Sequence, residues 1–124
     1  MNQASKKQTV LDLLVALVAG DRDKLKTHMS DECQIIFPGF STSGHTGVDE
    51  LFDLVDEVFD GCPTKTYDRW VVDEHAAVVS GTLQGRFKDG RSMDGTRYTD
   101  QFFFDNAGRV THWLVWNDLA LLSS

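Results

Sequence analysis

Residues 98–118 read Y-T-D-Q-F-F-F-D-N-A-G-R-V-T-H-W-L-V-W-N-D, two runs rich in aromatic and β-branched residues on either side of D-N-A-G. The four residues Asp105-Asn106-Ala107-Gly108 predict a turn, because Asn and Gly tolerate backbone conformations where other side chains clash. The flanking runs predict two long strands. Side chains alternate along a strand, so Asp100 shares a face with Phe102 and Phe104. One carboxyl group on so apolar a face is either solvated at one end or set in a dry cavity, and what the chain can do depends on which.

The same pattern extends outward. Residues 64–72, 76–87, 92–104 and 109–121 predict strands. The joints between them, Asp73-Glu74-His75, Lys88-Asp89-Gly90-Arg91 and the 105–108 turn, are short enough for hairpins. The strands are therefore expected to run antiparallel in sequence order. Strands of this length must twist and bend, and Gly81, Gly85 and Gly95 are candidate bend or bulge positions.

Before residue 64 the period is helical. Residues 5–19 carry an apolar stripe of Val10, Leu13, Leu14, Leu17 and Val18, with Ser5 and Gln8 fitting a capping box and Gly20 as the stop. Asp21 opens a short helix to about His28, burying Leu25 and Met29. Residues 34–37 predict a short strand ended by Pro38-Gly39, and residues 40–46 a polar loop. Thr46-Gly47-Val48-Asp49 then caps a third helix, to about Phe59. Its buried face is Val48, Leu51, Phe52, Val55, Val58 and Phe59, and its acidic face reads as solvated. Helices first and a bent sheet after them make an α+β plan, a single domain over residues 1–124.

Composition narrows the function classes. The chain has 19 acidic against 12 basic residues, a formal charge of -7. An acidic surface does not attract nucleic acid or anionic membranes, so neither is expected as a partner. The two cysteines, Cys33 and Cys62, lack metal-ligand or redox spacing and read as reduced thiols in the cytoplasm. No histidine pair has the spacing of a metal site, and no phosphate-cradling loop or nucleophile elbow is present, so neither a metal nor a cofactor is expected.

Three motifs, A-G-D at 19–21, G-V-D-E-L-F at 47–52 and D-Q-F-F-F-D-N-A-G-R-V at 100–110, together with the order of elements, resemble the nuclear-transport-factor-2-like superfamily. The resemblance is closest to its SnoaL-like and ketosteroid-isomerase-like branch and covers nearly the whole chain. It implies a cone: a curved antiparallel sheet wrapped around N-terminal helices, enclosing a pocket for a small molecule. In the steroid isomerases the aspartate matching Asp100 is a protonated hydrogen-bond donor to an oxyanion. Burial among Phe102, Phe104 and the helix stripe would favour that neutral form. The isomerase's base position is occupied here by Phe37 and its tyrosine position by Leu13, neither of which can move a proton. The inward aspartate of the cyclase and epoxide-hydrolase branches falls at Val115. Arg97 stands three residues before Asp100, on the opposite face of an unbulged strand. No branch's complete catalytic set is present.

The resemblance thus implies a small hydrophobic or aromatic ligand, with Asp100 as the candidate catalytic acid; a purely structural carboxylate is the alternative. Leu13, Leu17, Phe37, Phe52, Val55, Phe59, Trp70, Tyr98, Phe102, Trp113, Val115 and Asn117 are the candidate ligand-binding residues, although Trp70 and Tyr98 could equally serve packing and Asn117 a backbone group. The expected chemistry is cofactor-free isomerisation, cyclisation or dehydration, and the alternative is a binding or protein-interaction module without turnover. His112, Leu114 and Trp116 share the outer face, where the resemblance implies a homodimer contact. His28 follows a helix whose dipole favours it, while His45 and His75 read as solvated.

Overall fold

The computed structural model describes residues 2–122. The first helix, α1 (Gln3–Ala19), is capped by Asn2, whose side chain accepts from the Ser5 amide. This replaces the expected capping box: Ser5 is already inside the helix, and Gln8 donates to Asp12 instead. Val10, Leu13, Leu14 and Leu17 are buried, but Val18 is exposed. It lies roughly 80° round the helix from Val10, at the edge of the stripe. Gly20 ends α1 in the left-handed conformation at φ 73°, and the Gly20 and Asp21 amides donate to the Leu17 and Ala16 carbonyls.

Asp21 caps α2 (Arg22–Thr27) through the Lys24 amide. The chain then enters β1 (Met29–Phe37), which is longer than its apolar end suggested. Residues expected to form a loop pair back on it as β2 (Phe40–Ser43), across a turn with Gly39 at φ 74°. The third helix, α3 (Gly44–Val58), starts two residues before the predicted Thr46 cap, with Ser43 as N-cap and no side-chain cap bond. Gly47 is needed where α3 crosses Thr42, since a Cβ there would sit 2.8 Å from the threonine hydroxyl. The acidic face of α3 is tied to α2: Arg22 bonds Asp53 at 2.7 Å and Lys26 bonds Asp49 at 2.9 Å.

The remaining strands are β3 (Thr64–Lys65), β4 (Arg69–Val72), β5 (Ala76–Gln84), β6 (Thr96–Phe104) and β7 (Val110–Asn117), followed by a short 3-10 turn, Leu119–Leu122. The sheet order is β2-β1-β7-β6-β5-β3, with β4 also on β5. Neighbours from β4 to β7 are antiparallel, as the hairpin-length joints require. However, β1 joins β7 in parallel, so the sheet is mixed. That pairing links the two ends of the chain and has no local signal. The strand expected at 92–104 begins only at Thr96, after Gly95 at φ 85°, and the last strand ends at Asn117 rather than continuing to 121. The fold is α+β, an open curved sheet with the helices against it.

The strand expected at 64–72 is broken, and the break positions the site. Lys65 pairs with Leu83, and Trp70 with Val79. Four residues (66–69) therefore lie opposite three (80–82), the count of a β-bulge. One extra residue reverses the faces, so Lys65 and Trp70 both point inward although their numbers differ in parity. Gly81 faces the bulge: a Cβ on it would lie 2.2 Å from the Thr66 carbonyl oxygen. Thr66 is held there by its amide on the Thr82 carbonyl, the Thr82 amide on its hydroxyl, and the Tyr98 hydroxyl on its carbonyl at 2.6 Å.

Candidate ligand-binding site

Inward residues of β6 and β7 alternate as the sequence requires: Tyr98, Asp100 and Phe102 on one strand, Trp113, Val115 and Asn117 on the other. At one end Phe102 stacks on Trp113 with ring centroids 5.5 Å apart, and Phe37 closes edge-on against the same indole at 5.3 Å. At the other end the same face borders a cavity of about 450 Å³. Leu17 of α1, Leu51, Leu54, Val55 and Val58 of α3, the 37–40 turn, Phe59, Cys62, Leu83, Phe87, Tyr98 and Val115 make it largely apolar, and Leu119 and Ala120 stand at its C-terminal side. Such concave apolar sites with a few polar groups are where small ligands bind.

Lys65 supplies the main polar group. Lys65 is one of the wall residues; its ammonium donates to Asp100 Oδ2 at 2.5 Å and lies 4.7 Å from the centre of the Tyr98 ring. Its side chain is 11% exposed and that of Asp100 0%. The Trp113 indole N–H also reaches Oδ2, at 3.4 Å, whereas Asp100 Oδ1 is buried with no hydrogen-bond partner among the described residues. Both contacts to the carboxyl group are donors, so it acts as an acceptor. Isolated burial of either charge would be costly, and the pairing offsets that cost. Asp100 is thus not a lone acid in a dry hollow; it lies behind the wall as the counter-ion of a lysine.

The other polar groups are placed by their own bonds. Asn117 uses its carbonyl to accept from the Leu119 amide at 3.2 Å, leaving its amide nitrogen without a hydrogen bond among the described residues. Burial, reinforced by the charge of Asp100, raises the Tyr98 phenol well above its usual value, so this hydroxyl stays protonated. Burial pushes the Cys62 thiol up to about 11, only partly opposed by Lys65. Arg91 stands on the β5–β6 connection with its side chain 45% exposed.

Of the candidate ligand-binding residues, Leu17, Phe37, Val55, Phe59, Tyr98, Val115 and Asn117 line the cavity. Leu13, Phe52, Phe102 and Trp113 are instead buried in the packed core. Trp70 is half-buried elsewhere, against Tyr67 and under the Lys7 ammonium. Asp100 is in the core behind the wall rather than on it. Lys65 was missed. Its only sequence signal is a lysine in a strand-like run, and nothing local reports the bulge that turns it inward. His112 and Trp116 are exposed on the outer face, as expected from parity, and Arg97 pairs there with Asp118 at 2.7 Å. His45 is not simply solvated, since its ring nitrogen lies 3.1 Å from the Met29 carbonyl oxygen. Among the described residues no three His, Cys, Asp or Glu side chains converge to hold a metal, and no helix is long and apolar enough to cross a membrane.

The SnoaL-like domain family matches residues 10–113. This chain belongs to the SnoaL-like family. Solved structures carry the same fold. An NTF2-like protein of unknown function from Burkholderia pseudomallei superposes with a TM-score of 0.86 at 19% identity, covering 98% of this chain and 95% of the other. A protein described as a putative SnoaL-like polyketide cyclase from Jannaschia sp. CCS1 gives 0.82 at 19% identity, over 97% and 90%. TerC, co-crystallised with polyporic acid, gives 0.83 at 15% identity, over 95% of each chain. Comparison with curated protein sequences finds no match. As a SnoaL-like domain the chain has a family and a fold.

Proposed function

We propose that the cone binds a small, largely apolar, ring-bearing molecule that presents one oxygen acceptor to Lys65. The observation that carries this is the half of a buried ion pair, Lys65 backed by Asp100, that reaches the wall of a largely apolar cavity. A lysine held by a counter-ion keeps further N–H donors for a ligand carbonyl or hydroxyl oxygen. The description of a fold relative as a polyketide cyclase, and the co-crystallisation of another with polyporic acid, support a small-molecule role.

In the catalytic form of this reading the reaction is an isomerisation, cyclisation or dehydration in which negative charge grows on the ligand oxygen. Lys65 donates to that oxygen, Asp100 holds the ammonium in place, and the Asn117 amide assists. No cofactor takes part. A second reading, binding without turnover, is favoured by one observation: among the described residues the wall includes no Asp, Glu or His. No carboxylate or imidazole on the wall is therefore placed to take a proton.

Native mass spectrometry of the freshly purified protein tests the reading. A retained apolar oxygen-bearing compound, lost in a Lys65→Met/Asp100→Leu variant that still folds, supports it. A cavity that takes up no such compound in either protein defeats it. Asp100→Asn separates the two forms: turnover lost with affinity kept identifies an enzyme, while a compound bound and released unchanged identifies a binder.

The reading includes a cytoplasmic homodimer joined through the outer sheet face. Ile36, Leu114, Gln101, Val78 and Val71 follow one another in register across that face, with Trp116 beside them. Val71 is 69% exposed and Trp116 54%, an apolar surface of the kind partners cover. Light scattering on Trp116→Lys tests this: the contact predicts a dimer weakened to monomer, and an unchanged mass removes it.

A further inference from the structure

The charges on the cavity wall run against the charge of the chain. The whole sequence carries an excess of acidic residues, yet among the described residues the wall includes two cations, Lys65 and Arg91, and no carboxylate. The two cations differ in kind. Lys65 is buried and paired with Asp100, whereas Arg91 is paired with Asp89 near the surface, where solvent screens the pair. Arg91 is partly exposed and fixed in place by three contacts. Its Nε donates to Asp89 Oδ2 at 2.7 Å, its Nη1 donates to the Leu122 carbonyl at 2.5 Å, and its guanidinium lies 4.8 Å from the centre of the Phe87 ring. The remaining nitrogen, Nη2, has no hydrogen bond among the described residues. A guanidinium held this way has already lost most of its rotamer freedom, so a ligand that bonds its free edge bears little of that cost.

We infer that the natural ligand is an amphiphilic carboxylate: its anionic head stays at the partly exposed Arg91, and its apolar body fills the cone towards Lys65. This rests on the small-molecule reading above and narrows it to one ligand class. A charge left near solvent is not desolvated, while the rings gain the apolar wall. Arg91 is then a specificity-determining residue rather than a catalytic one.

Two matched probes test it: 1-naphthaleneacetate, and 1-naphthaleneacetamide, which keeps the rings and one carbonyl but loses the charge. Affinities are measured by calorimetry at neutral pH for the wild type, Arg91→Met and Lys65→Met/Asp100→Leu, with thermal unfolding as a check on fold. The inference predicts that the wild type prefers the acid by about tenfold or more. Arg91→Met should abolish the preference, the acid losing much more affinity than the amide, and the double variant should weaken both probes while keeping the preference. An amide that binds as well as the acid overturns the inference but leaves the small-molecule reading standing. A preference that survives Arg91→Met and disappears in the double variant also overturns it, by moving the head group to Lys65. If neither probe binds, the inference fails; if the neutral apolar dye Nile red is also excluded, the small-molecule reading fails with it.

Discussion

Two ends of one sheet face behave differently. From Tyr98 to Phe102 on β6 and from Trp113 to Asn117 on β7 the inward residues alternate, but Phe102 and Trp113 meet Phe37 and form solid core, whereas Tyr98, Val115 and Asn117 border a hollow. Asp100 stands at the boundary, with the Trp113 indole on its closed side and the Lys65 ammonium on its open side. Stability should therefore concentrate at the closed end and binding at the open end, with the ion pair serving both.

The largest expected effects fall on that boundary. Lys65→Met alone leaves a buried carboxyl group unpaired and should cost about 3–5 kcal/mol, read by urea unfolding. The double variant Lys65→Met/Asp100→Leu should recover most of that loss, since apolar replacement of a buried pair is often close to neutral. Equal losses in the single and double variants would remove the pair from its place in the account. Next comes the contrast between the ends. Trp113→Ala should cost about 3–5 kcal/mol, while Val115→Ala, whose methyl groups already border empty space, should cost under about 1.5 kcal/mol. Comparable costs would mean that the hollow is packed in solution.

A smaller effect is expected at the bulge. Gly81→Ala forces a methyl group towards the Thr66 carbonyl oxygen and should cost about 1–3 kcal/mol. It should also weaken ligand binding, because the bulge is what aims Lys65 inward. Ligand affinity unchanged in a folded Gly81→Ala protein would separate the bulge from the site.

The smallest effects concern Cys62 on the open wall. Its thiol is pushed up to about 11, so little thiolate exists at pH 8 and alkylation by iodoacetamide should be slow, and slower still with ligand bound. The sign for stability follows: the fold favours the neutral thiol. That contribution is complete below the unfolded value of about 8.5 and is lost as pH rises towards the folded one. The melting temperature should fall across this window, less steeply in Cys62→Ala. Rapid alkylation at pH 8 would place the thiol outside the wall.

The contrast between the ends also explains what was legible in the sequence. Parity grouped Asp100 with Phe102, and Trp113 with Val115 and Asn117 against Trp116, because a strand repeats every two residues; the family resemblance chose which set faces inward. Parity could not tell wall from core, since both ends alternate identically and the difference depends on which elements lie opposite. Phe102 and Trp113 were expected at the ligand for that reason, and Leu13 and Phe52 because the helical period of α1 and α3 is equally blind to what lies opposite. Lys65 was hidden by a single extra residue at 66–69, which reverses the face that counting back from Trp70 would assign. The parallel β1–β7 pairing and the four-residue β2 were equally out of reach, one being non-local and the other too short and polar to carry a period.

The most direct test compares tetralin with 2-tetralone, two ring systems of nearly equal shape that differ by one carbonyl oxygen, on the wild type and on Lys65→Met/Asp100→Leu. The account predicts that the wild type binds the ketone about tenfold more tightly, one hydrogen bond's worth, and that the double variant binds the two alike. A wild type indifferent to the oxygen, or a ketone preference that survives removal of the pair, would contradict it.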